Sequence, residues 1–215
     1  MVEEIQKRYA KEAERCDNLS CGTNLAFMNI TPGERILDLG CGRGGDTIEA
    51  AKLTGPTGLS CGMDITDAML ATAAAAAKSQ GLDNVQFVKG EIEHLPFADD
   101  SFHAVMSNCV INHARDKKKV YREIYRVLKN GGRFVISDAV TKTPLPDDVK
   151  QDPEAWAQCY GGAITEQEYL DSISASGFDT IKVLNRREYI KNTFDFISLT
   201  ILAEKTNQTE GGLLK

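Results

Sequence analysis

A chain of 215 residues is long enough for one α/β domain with a full core and short for two. Hydrophobic residues make up 42% and charged residues 26%, as in ordinary globular proteins. The net charge of −6 and a pI near 5.2 argue against nucleic acid or an anionic membrane as a partner, because phosphate-rich surfaces select basic ones. The opening MVEEIQKRYAKEAERC mixes acids and bases and has no apolar core of a secretory leader. No run approaches the roughly 20 apolar residues that span a bilayer. A cytoplasmic setting is therefore expected, with all six cysteines reduced.

In chain order, residues 1–30 read as a charged N-terminal helix and a lid segment, 31–205 as the main domain and 206–215 as a frayed tail. From Arg35 onward, apolar runs of strand length alternate with helical segments, which is the pattern of a mostly parallel sheet covered on both faces. The runs RILDLG, TGLSCGMD, NVQFVKG, FHAVMSN and GGRFVISDAV are the first five strands. Helices are expected over 46–53, over the alanine-rich 67–80 closed by Gly81, and over 117–128, where Val120, Ile124, Val127 and Leu128 form one stripe.

Beyond Val140 the pattern turns irregular, and Pro144 and Pro146 rule out a central strand. Asp152-Pro153 starts a short helix running through Cys159, and Thr165 with Glu168 forms a capping box for another that ends at Gly177. The runs TIKVLNRREYI and FISLTILAEK close the chain as a hairpin.

Two features carry chemistry. In ILDLGCGRGGDT a strand delivers Asp38 to a turn built on Gly40, Gly42 and Gly44, where the backbone takes positive φ or approaches a ligand closely. The spacing is tighter than the G-x-G-x-x-G of dinucleotide sites and suits S-adenosylmethionine (SAM) better. About twenty residues on, Asp64 ends the second strand where a carboxylate pairs with ribose hydroxyls. Glu91 ends the third, near the expected adenine amino group. The other feature is thiols. Cys109 lies just past strand four at the switch point of the sheet, Cys159 lies in the irregular insertion, and Cys21 precedes the first strand. Cysteine is also a small hydrophobe used for packing, the reading preferred for Cys61 in strand two and Cys41 between the glycines. Cys16 and Cys21 alone are a poor zinc signature.

The turn and the acid-ended strands resemble the class I SAM-dependent methyltransferases. That resemblance implies a Rossmann-like, seven-stranded sheet with order 3-2-1-4-5-7-6 and helices on both faces. It places Asp38 at the methionine amino group and Asp64 at the ribose, with Asp46, Ile65, Met69, Ile92 and Asn108 completing the cofactor site. The segments SNCVIN, DPEAWAQCYGGA and LSCG resemble the arsenite methyltransferase family. By that resemblance Cys21, Cys109 and Cys159 are the catalytic thiols that bind trivalent arsenic as substrate, and a thiol reductant supports turnover by a monomer or dimer. Other readings stay open. One is a C- or S-methyltransferase of the ubiquinone- and menaquinone-biosynthesis type, with His113 as base and the cysteines as pocket lining. Another is a non-catalytic arsenite sensor. For His113 itself a place on a helix edge at the surface is the commoner expectation, and for His94 a surface loop.

Overall fold

The computed structural model describes residues 2–13 and 24–206; Cys16, Cys21 and the tail beyond Thr206 lie outside the described residues. Seven strands form one sheet: β1 (Arg35–Leu39), β2 (Leu59–Asp64), β3 (Val85–Lys89), β4 (Phe102–Asn108), β5 (Leu128–Thr141), β6 (Thr180–Lys191) and β7 (Phe194–Glu204). The order is β3-β2-β1-β4-β5-β7-β6. The first five run parallel, and β7 inserts antiparallel between β5 and β6. This is the Rossmann-like class I methyltransferase fold expected from the sequence.

Alternation along the strands explains the two layers of core, since successive side chains point to opposite faces. Leu37, Leu39 and Val105 join one cluster, which α5 (Lys117–Val127) and α8 (Glu166–Ser174) cover with Tyr121, Ile124, Tyr169 and Ile173. Ile36, Ala104, Met106 and Val135 face the other way, against Met28 of α2 (Leu25–Met28) and Ala50 of α3 (Gly45–Thr54). The alanines of α4 (Asp67–Ser79) let the helix sit close to the glycine turn: a Cβ built on Gly44 would lie 2.8 Å from that of Ala73.

Both helix starts read from sequence are present. Asp152 caps α7 (Pro153–Ala157) by accepting the Glu154 N–H, with Pro153 in the first turn, and Thr165 with Glu168 completes a capping box on α8. Asp116, which the sequence reading did not single out, caps α5 by accepting the Lys119 N–H. The boundary after α5 differs: residues expected to finish the third helix and its turn open β5 instead. Leu128 is buried and pairs with Phe102 before a bulge restores register at Ala104, so the burial of Leu128 decides the matter. The insertion after β5 also holds an unexpected helix, α6 (Asp147–Gln151), ahead of α7 (Pro153–Ala157). Leu145, set between the two prolines, anchors it in a cluster with Ala163 and Phe196. The first helix, α1, spans Val2–Glu12. Among the described residues, no helix is long and apolar enough to cross a membrane.

Candidate active site

The carboxyl ends of β1 to β4 open into a cavity of about 480 Å³, within the usual range for small-molecule sites. The glycine turn forms its floor. The N–H groups of Gly40 and Cys41 both donate to the Met63 carbonyl, at 2.7 and 3.0 Å, which binds the turn to β2. Gly40 has φ +70° and no room for a side chain, because a Cβ there would lie 2.2 Å from Val110 Cγ2. Asp64 is held by two backbone donors, Gly42 N–H at 3.0 Å and Thr66 N–H at 2.9 Å.

Burial governs the acids. It pushes the Asp38 carboxyl up to about 7, against a 2.6 Å hydrogen bond from Thr47 Oγ1 and with the neighbouring Asp46 and Asp64 adding to the rise. Asp46 is also raised by burial, opposed by a hydrogen bond from Asn108, and Asp64 is raised by burial against its backbone donors. Ile65, Met69, Glu91 and Ile92 line the same cavity. Every member of the expected cofactor set does so except Gly44, whose φ of +78° starts α3 and whose missing Cβ makes room for Ala73 and Phe87.

Two of the three expected thiols reach this cavity. Cys109 follows β4 and Cys159 follows α7, which ends at Ala157 and not beyond; both take left-handed φ, 57° and 64°. A non-glycine residue held in that region costs energy, so the surrounding structure dictates these positions. Cys21 lies outside the described residues. Among the described residues no group of three His, Cys, Asp or Glu side chains is placed to hold a metal ion. The expectation of six reduced cysteines is corrected at Cys109, which is disulfide-bonded; Cys41, Cys61 and Cys159 are free thiols. Cys61 is buried inside β2 as a packing residue, while Cys41 is buried yet also touches the cavity.

His113 is not a surface histidine. It ends the short 3-10 turn Ile111–His113, is half-buried, and puts Nε2 at 3.1 Å from Cys159 Sγ and 3.2 Å from Tyr9 Oη. Tyr9 Oη closes the triangle at 2.9 Å from the same sulfur. Burial lowers the His113 ring to about 4, leaving it neutral near pH 7, and raises the Cys159 thiol, leaving it protonated. Tyr9 belongs to α1, which also donates from Gln6 Nε2 to the Ile65 carbonyl at 3.2 Å and from the Arg8 guanidinium to the Ala157 carbonyl. The helix thus bridges the acid-lined and thiol-lined sides. Its sequence signal was the i, i+3, i+7 spacing of Val2, Ile5 and Tyr9, all of which line the cavity. His94, as expected, is exposed.

A buried polar group ties the two thiol-bearing segments together. Lys117 Nζ donates to the carbonyls of Ala114 (3.2 Å) and Gly162 (2.6 Å), and burial lowers it to about 8. Asn112 Nδ2 donates to Asp138 Oδ1 at 2.8 Å and to the Ala139 carbonyl at 2.6 Å. Nothing in the local sequence marks Lys117 as buried.

A family model described as a methyltransferase domain matches residues 30–177. The arsenite methyltransferase of Halobacterium salinarum is 42% identical over 170 residues, covering 79% of this chain and 44% of that protein. That of Mus musculus is 34% identical over 194 residues, 82% of this chain and 52% of its own. The chain thus spans about half the length of these curated relatives. A crystal structure of an arsenic(III) S-adenosylmethionine methyltransferase from Chlamydomonas reinhardtii superposes with a TM-score of 0.77 at 30% identity, covering 95% of this chain and 74% of that one. By sequence and by fold, the chain belongs to the arsenite methyltransferase family of SAM-dependent class I methyltransferases.

Proposed function

We propose that this chain transfers a methyl group from SAM to trivalent arsenic held by cysteine thiolates. The observation that carries the reading is that Cys109 and Cys159 share one cavity with the acid-ended strands. SAM fits those strands on their chemistry. Asp38, Asp46, Asp64 and Glu91 face a space suited to a ligand with an ammonium and a sulfonium, and a cation there offsets the cost of the buried Asp38 carboxylate. Asp38 is assigned to the amino group, Asp64 to the ribose hydroxyls and Glu91 to the adenine edge. When bound, SAM supplies an electrophilic methyl carbon.

The thiols select a soft centre. Each sulfur displaces hydroxide from arsenite; an S–As bond forms, an As–O bond breaks, and the thiol proton leaves in water. Cys21 is the third thiol of this reading. Three sulfurs leave the arsenic lone pair facing outward, and a lone pair needs no general base to attack carbon. The chain's work is to hold donor and acceptor at attack distance in a space closed by α1. Cys109 must first be released from its disulfide, so a thiol reductant in a reducing, cytoplasmic setting belongs to the proposal.

The reading with His113 as base for another acceptor is weaker, because Nε2 already faces Cys159 and Tyr9. The test incubates purified protein with SAM, arsenite and a thiol reductant and follows methylated arsenic together with S-adenosylhomocysteine. Stoichiometric appearance of both is expected. SAM-binding protein that makes no methylated arsenic overturns the reading, and arsenite binding without turnover favours a sensor.

A further inference from the structure

We infer that His113 is a further catalytic residue, which takes the proton from Cys159 as its sulfur closes on arsenic and passes it to the departing group. The inference rests on the arsenic reading above and deepens it by assigning a route for the thiol proton. Three side chains from three distant segments meet within 3.2 Å: Tyr9 of α1, His113 of the 3-10 turn after β4, and Cys159 beyond α7. A packing cysteine has no use for a ring nitrogen and a phenol at its sulfur. A ligating cysteine that carries a proton does, since the thiolate is the nucleophile.

The protonation states suit the role. The Cys159 thiol is held protonated by burial and must lose its proton before sulfur can bind; the His113 ring is neutral and has a lone pair for it. Attachment of sulfur to arsenic acidifies the thiol, so a ring of low basicity is strong enough. The step balances without an oxidant or reductant. The Sγ–H proton moves to Nε2, an Sγ–As bond forms, an As–O bond breaks, and Nε2 gives the proton to the leaving hydroxide, which departs as water. With arsenic delivered as a thiol conjugate, the leaving thiolate takes the proton instead. Tyr9 donates its hydroxyl proton to the sulfur or the ring and orients the pair; its phenol, pushed up by burial, does not ionise.

Arsenite capture by protein reduced with a phosphine, which adds no competing thiol, tests this. The rate is read by stopped flow from the fluorescence of Trp156, the one tryptophan of the chain, whose carbonyl accepts the Cys159 N–H at 3.0 Å. His113→Ala is expected to slow the second-order capture rate by about 100-fold, the low end for a lost general base, and millimolar imidazole to restore part of it. His113→Gln fills the space without a base and is expected to stay slow. Tyr9→Phe is expected to lose only about threefold, as one weakened hydrogen bond would cost. SAM affinity, measured alongside, reports the fold and is expected to hold in all three. Capture by His113→Ala or His113→Gln at the native rate with SAM binding intact overturns the inference. So does a large loss in Tyr9→Phe alone, which makes the phenol and not the ring the group that governs capture. A native protein that never captures arsenite removes the arsenic reading itself, a distinguishable failure.

Discussion

The two sides of the cavity are built in different ways. The acid-lined side comes from the ends of neighbouring strands and one short turn: Asp38 from β1, Asp64 from β2, and Gly40 and Gly42 between them, linked by backbone hydrogen bonds within about thirty residues of chain. The thiol side is assembled from α1, the turn after β4 and the insertion after β5, joined by side chains up to 150 positions apart. Local geometry makes the first side rigid. The second depends on a few polar contacts, so changes there should damage acceptor chemistry while sparing the donor.

The largest effect should come from the thiols themselves. Cys159→Ser and Cys109→Ser should each lower arsenic methylation by about 1,000-fold, since serine is a hard, weak ligand for arsenic, and leave SAM affinity within about twofold by calorimetry. Equal loss of SAM binding would erase the division between the sides. Gly40→Ala attacks the donor side where it touches the other. The new methyl meets Val110, next to Cys109, in a left-handed backbone, so a loss of about 2–3 kcal/mol in denaturant unfolding is expected together with weakened SAM binding.

Lys117→Met should cost about 1–2 kcal/mol through the unpaired carbonyls of Ala114 and Gly162. More tellingly, it should raise KM for arsenite by about tenfold and leave KM for SAM unchanged, because Lys117 ties together only the thiol segments. A matched rise in both constants would mean that the sides are coupled.

Asp38 makes the donor side sensitive to pH. Its folded pKa lies above the ordinary carboxylate value, so its contribution to apo stability is full at pH below 4 and is lost as pH rises toward 7. Binding of a cation reverses that preference. SAM affinity should therefore fall by a factor approaching ten per pH unit below 7, with proton release on binding near pH 6, read by calorimetry in buffers of different ionisation enthalpy. Asp38→Asn should flatten the profile. The smallest effect is expected from Cys61→Ala, about 1 kcal/mol of stability from lost packing, with methylation intact.

What the sequence alone determined is whatever short-range physics encodes. Alternation of apolar runs with helical stripes specified five parallel strands, Gly and Asp spacing located the cofactor turn, and capping residues marked the starts of α7 and α8. These features depend on neighbours within a few positions, so they survive any tertiary arrangement. The tertiary structure decided the rest. It opened β5 at Leu128, enclosed Lys117, moved His113 from an expected surface into contact with Cys159, brought Tyr9 across the cavity and left Cys109 in a disulfide. Each of these depends on which distant segments meet once the sheet has formed, and no local period records that. The glycine turn could be read before folding; the partners of the thiols could not.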